Sequence, residues 1–216
     1  MDSAGNSELK LRGCSQIALV TGNSATSLRE LRDQLKVVPT SSIYQHFWGR
    51  LLLPHFAEPE YNNDFASWAF HSLQDKTLAE RLSAVNPLDF DSPESLRQEL
   101  IELVEARLEE REVLSWRQAD HPFFFQFAQM VVFDANLRID DPAKLSDALK
   151  HVPEGTIYYH FIDARRRNAD HSDDFSNWLR DQGPKWREKA DAVSKLDPYF
   201  STLNGIRHRL IATLEH

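Results

Sequence analysis

The 216-residue chain has one cysteine, Cys14, so no disulfide can form within it, and a reducing compartment suits it. Its seven glycines leave little material for a glycine-rich phosphate loop. It also lacks a Gly-x-Ser-x-Gly elbow, a His-Glu-x-x-His pair and a Cys-x-x-Cys motif. No apolar run approaches the roughly 20 residues a membrane helix requires. The opening Met1–Asn6 has neither the basic start nor the apolar stretch of a secretory signal. Basic charge is short too. The 25 Lys and Arg against 33 Asp and Glu give a net charge of −8, the wrong sign for displacing counterions from nucleic acid. These absences lead us to expect a cytoplasmic protein that engages neither membrane nor nucleic acid.

What the chain does contain is a sequence written twice. Val38-Pro39-Thr40-Ser41-Ser42-Ile43-Tyr44-Gln45-His46-Phe47 returns 114 positions later as Val152-Pro153-Glu154-Gly155-Thr156-Ile157-Tyr158-Tyr159-His160-Phe161. Asp64-Phe65-Ala66-Ser67-Trp68 returns 110 positions later as Asp174-Phe175-Ser176-Asn177-Trp178. Phe90 and Leu96–Ile101 return as Phe200 and Ile206–Ile211 at the same shift. The expected organisation is a flexible tail over 1–13, a repeat unit over 14–110, a linker over 111–121 and a second repeat unit over 122–216.

Each copy opens with a candidate strand, Ile17–Thr21 in the first and Phe123–Phe127 through Val131–Phe133 in the second. The two are expected to pair with one another, because a lone strand leaves its backbone groups unsatisfied. Helices follow. Ser27-Leu28-Arg29-Glu30 is a capping box, and Asp141-Pro142 serves the same purpose with an acidic cap and a first-turn proline. Ser42 and Thr156 read as caps of the next helix, and Asn63 and Asp173 as caps of the Asp-Phe-x-x-Trp helix. The excess of acid at Glu99, Glu102, Glu105, Glu109, Glu110 and Glu112 reads as a solvated helix face. The expected fold is α+β and mainly α: a tandem pseudo-symmetric repeat, each unit one strand plus four or five helices.

This combination of leading strand, capped Leu-rich helix, Ser/Thr-Ile-Tyr-x-His-Phe and Asp-Phe-x-x-Trp resembles an uncharacterised prokaryotic domain family that often occurs in tandem. The resemblance covers nearly the whole chain after residue 13 and implies no activity. The family pattern also implies aromatic residues in the strand, where copy one has Ile17 and Leu19.

The repeated polar residues are the candidate site. His46 and His160 could ligate a metal or act as a base, with Asp64 and Asp174 as partners. His55 and His71 could complete a metal set of His46, His55, Asp64 and His71 in copy one, suited to zinc or ferrous iron. Against this, neither His55 nor His71 recurs in copy two, and a half-buried histidine bonded to a carboxylate or to backbone explains the same repetition and is the preferred reading. Asp64 and Asp174 also suit a helix N-terminus, and Trp68 and Trp178 suit the core. Arg165-Arg166-Arg167 reads as a surface run, the alternative being an anion clamp.

The leading functional reading is a soluble cytoplasmic interaction or regulatory module with a protein partner and no cofactor. One alternative is a hydrolase or sensor that depends on a divalent metal. Another is a small-molecule sensor using a cleft between the units, with Tyr44, His46, Tyr158, His160 and Arg165 as contacts.

Overall fold

The computed structural model describes residues 8–52, 60–110 and 116–215. Among these residues two strands, β1 (Leu9–Ser27) and β2 (Gln118–Ile139), form a two-stranded sheet, and the other regular elements are helical. The fold is α+β and mainly α. Glu8 lies near Arg138, Arg12 near Asp134, and Gly13 against the Phe133 ring. Moving back along one strand therefore moves forward along the other, and the pair is antiparallel.

Both strands are longer than their β-rich centres suggest. β1 begins at Leu9, inside the stretch read as an N-terminal tail. Leu9 and Leu11 are buried while Lys10 and Arg12 are exposed, the period-two alternation of a half-buried strand. β2 begins at Gln118, inside the stretch read as a linker. The remaining tail and linker positions, 1–7 and 111–115, lie outside the described residues.

The chain forms two compact units, divided differently from the two sequence copies. One is residues 16–129, and the other joins the chain up to Ser15 to everything from Met130 onward. Each strand gives one half to each unit. The start of copy one's strand thus belongs to the unit that holds copy two's helices, and the start of copy two's strand to the unit that holds copy one's.

In the first unit, residues 16–129, the helices are α1 (Leu28–Leu35), α2 (Thr40–Trp48), α3 (Asp64–His71), α4 (Lys76–Ser83) and α5 (Pro93–Glu110). Ser27 caps α1 by accepting from the Glu30 amide, and the Glu30 carboxylate turns back to the Thr26 amide and hydroxyl. Asn63 caps α3 through the Ala66 amide, and Asp75 caps α4 through that of Leu78. Asp75 is also held by both arms of Arg107, at 2.9 and 3.0 Å, in a buried ion pair. Leu28, Leu31 and Leu35 of α1 and Leu96, Leu100 and Val104 of α5 supply the apolar stripes of this core.

In the second unit the helices are α6 (Leu145–His151), α7 (Glu154–Ile157), α8 (Ala164–Arg167), α9 (Asp174–Asp181), α10 (Arg187–Ser194) and α11 (Leu203–Glu215). A π-helical turn, Tyr158–Asp163, joins α7 to α8 without a break. Asp141 accepts from the Ala143 amide and Asp173 from that of Ser176. The reading of Ser42 and Thr156 as caps is corrected. α2 and α7 begin two residues earlier, behind Pro39 and Pro153, so both hydroxyl residues sit buried inside the first turn. Among the described residues no helix is long and apolar enough to cross a membrane.

Candidate functional site

α2 carries His46 on its buried face, and the Asn63 cap sets Asp64 at the start of α3, where an acid favours the helix dipole. His46 Nδ1 lies 2.9 Å from Asp64 Oδ2, and the other carboxylate oxygen faces Arg50 Nη1 at 3.5 Å. On the far side of the ring, Nε2 accepts the backbone amide of Gln126 in β2 at 3.0 Å. A backbone N–H can only donate, so Nε2 carries no proton and Nδ1–H donates to the carboxylate. Phe123, Phe65 and Phe125 close around the imidazole, with ring centroids 4.7, 5.3 and 5.9 Å away.

The second unit builds the same arrangement from its own parts. His160 Nδ1 meets Asp174 Oδ2 at 2.8 Å, and His160 Nε2 accepts the Arg12 amide of β1 at 2.9 Å. Arg12 and Gln126 are themselves 114 positions apart, the shift that relates the two histidines. The helix around the histidine differs, however. The π turn widens the backbone here, and the arginine that reaches Asp174 is Arg167, at 3.0 Å, with Asn168 adding a bond at 3.0 Å. Burial pushes the Asp174 carboxyl up, but the bonds from His160 and Asn168 and the positive charge of Arg167 outweigh it. The net effect holds the group below its ordinary value.

The chemical consequence is that each imidazole spends both nitrogens inside the fold. Neither has a lone pair left to offer a metal or a substrate proton. In copy one the structure brings His46 and Asp64 together, but it places the exposed His71 beside Glu60, at 3.8 Å, and against the Tyr61 and Phe70 rings. His55 lies outside the described residues. Among the described residues no three of the His, Cys, Asp and Glu side chains gather as a metal would require.

The other candidates are also engaged. Tyr44 lies beside Trp48, with centroids 6.2 Å apart, and Tyr158 is fully buried. Arg165 packs over the Phe161 ring at 4.6 Å and donates to the Ser194 and Leu196 carbonyls at 3.3 and 3.1 Å. Arg166 and Arg167 converge on Asp163, a buried carboxylate that the sequence reading passed over. Its signal was available, since Asp163 stands three and four positions before these arginines on one helical face. Trp68 is nearly buried, and its Nε1 donates to the His121 carbonyl at 2.8 Å.

The strand residues of copy one that match Phe123 and Phe125 are Leu9 and Leu11, which share the 114 shift and are likewise buried. Ile17 and Leu19, taken from the sequence as the strand's counterparts to those aromatics, are exposed. Gly155 marks a close approach in the second unit. A Cβ there would collide with the Cys14 carbonyl oxygen, and the buried Cys14 thiol donates to the Gly155 carbonyl at 3.2 Å. Burial pushes that thiol up to about 12, so it is not a nucleophile in the folded chain.

No curated protein matches the chain. Among solved structures it is similar to OrfY from Thermoproteus tenax. The identity is 28% and the TM-score 0.82, over 97% of this chain and 94% of that one. A family match spans residues 6–215, nearly the whole length, and the chain therefore belongs to DUF5752, a family of unknown function.

Proposed function

We propose that this protein is a non-catalytic interaction module of the cytoplasm, a tandem pseudo-symmetric repeat whose repeated polar residues fasten strand to helices. The observation that carries this reading is a contrast. The polar residues kept in both copies are spent on internal bonds, while apolar strand residues stand in solvent. Ile17, Leu19 and Val20 of β1 and Val131, Val132 and Phe133 of β2 are all exposed. Scattered exposed apolar residues need no explanation, but consecutive ones on a strand mark a surface that meets another chain.

Affinity capture of tagged wild type, in parallel with a Val20→Lys, Val132→Lys variant, tests the reading. A partner retained by wild type and lost by the variant is the expected result. Identical sets of captured proteins for the two baits contradict it.

A further inference from the structure

The strand segments exchanged between the sequence copies sit in one register in both units. In the second unit Leu9 and Leu11 are buried, Lys10 is exposed between them, and the amide of the next residue, Arg12, donates to His160 Nε2 at 2.9 Å. In the first unit Phe123 and Phe125 are buried, Phe124 is exposed between them, and the amide of Gln126 donates to His46 Nε2 at 3.0 Å. Leu9-Lys10-Leu11-Arg12 and Phe123-Phe124-Phe125-Gln126 agree at no position, yet they are held alike. A groove that holds different side chains in one register reads the backbone and the alternation of the segment. Proteins bind an added strand in this way, with main-chain bonds for affinity and pockets for alternate side chains.

The neighbouring contacts are of the same kind. In the first unit the Ser72 carbonyl accepts the Asp120 amide at 2.9 Å, and Trp68 Nε1 donates to the His121 carbonyl at 2.8 Å. In the second, Gly155 lies so close to the Cys14 backbone that a Cβ would not fit, and its carbonyl accepts the Cys14 thiol. In each unit the helices come from one half of the chain and the docked segment from the other. Protomers that swap domains exchange an equivalent element in this manner, and here both partners belong to one polypeptide.

We propose that each set of helices is a binding groove for an extended segment of the pattern apolar-x-apolar-x, and that the two halves of the chain are each other's partners through these grooves. The peptide connection between Glu110 and Trp116 then acts by raising the effective concentration of one half around the other, and the grooves themselves hold the halves together. This goes beyond the interaction reading above, because it concerns buried strand positions and not the exposed ones.

The test uses the full chain with a protease site inserted between Glu110 and Trp116 and cut after folding. The nicked protein is expected to elute from gel filtration as a single species holding both halves in equal amounts. Its melting temperature, unlike that of the uncut chain, should rise with protein concentration. Leu11→Ala empties a buried position of one groove and should weaken the association of the nicked halves by roughly tenfold or more in a dilution series. Lys10→Ala, on the exposed face of the same strand, should leave the association unchanged. Circular dichroism of the uncut variants checks that both are folded, and the milder Leu11→Val replaces Leu11→Ala if the latter is not. Halves that part in native buffer, folded or unfolded, overturn the proposal. An association that the Leu11 substitution leaves as tight as in wild type overturns it too.

Discussion

His46 accepts the backbone amide of Gln126 through Nε2 at 3.0 Å, and this bond ties β2 to α2 in the first unit. The imidazole acts as a two-ended clip, with Asp64 holding one nitrogen and the strand held by the other. Among the described residues no second strand lies on that side of β2, so this part-buried amide has no ladder partner there; a fully buried amide left unpaired costs about 1–3 kcal/mol, and a part-buried one less. The aromatic packing of Phe123 and Phe125 around the ring then adds to what the hydrogen bond begins.

His46→Ala should therefore destabilise the first unit by roughly 2–4 kcal/mol in a urea titration, since it leaves the Gln126 amide unpaired, takes one of two partners from the Asp64 carboxylate and empties the space among Phe65, Phe123 and Phe125. Asp64→Asn should cost only about 1 kcal/mol, because the amide oxygen can still accept from Nδ1–H. Equal losses in the two variants would contradict a clip built around the ring.

Acid sensitivity should follow from Asp174. Its folded-state carboxyl is held below the ordinary carboxylate value, so the stability it contributes is present above the unfolded value and fades as pH falls through the folded one. The wild type should lose stability below about pH 4, the ordinary carboxylate range, more steeply than Asp174→Asn does. Parallel curves for the two proteins between neutral pH and pH 3 would remove Asp174 from the account.

Gly155→Ala should destabilise the second unit by about 1–3 kcal/mol, because the added methyl meets the Cys14 carbonyl and β1 must move away. The same approach shields the thiol. Cys14 in native protein should resist a thiol reagent at mildly alkaline pH and react on unfolding, and Gly155→Ala should speed the native reaction. Fast labelling of the native wild type would contradict the burial of this strand.

Trp68→Ala should cost roughly 3–5 kcal/mol as a core truncation. Trp68→Phe, which keeps much of the packing against Phe123 but loses the bond to the His121 carbonyl, should cost about 1 kcal/mol more than packing alone predicts. A melting temperature unchanged by Trp68→Ala would place the ring on the surface.

Much of the helical frame is legible in the sequence because its signals are local. Ser27, Asn63, Asp141 and Asp173 announce their helices by cap chemistry, and the leucine stripes of α1 and α5 by period. What escaped depends on contacts distant in sequence. Leu9 and Leu11 alternate too briefly to announce a strand unless their burial is known. Nothing in the spacing of His46 and Asp64 reveals that a strand amide 80 residues away takes the remaining nitrogen. The π turn around His160 was equally hidden, since Tyr158–Asp163 repeats the pattern of an ordinary α-helix in copy one.

The most direct measurement is the tautomer of the two histidines, read by nitrogen-15 NMR of the imidazoles at neutral pH. Both His46 and His160 are expected to carry their proton on Nδ1 and to be bare at Nε2, with Nε2 coupled across a hydrogen bond to the amides of Gln126 and Arg12. Rings protonated at Nε2, or Nε2 resonances that shift on adding zinc or ferrous iron to folded protein, would contradict it and return both histidines to the chemistry of a site.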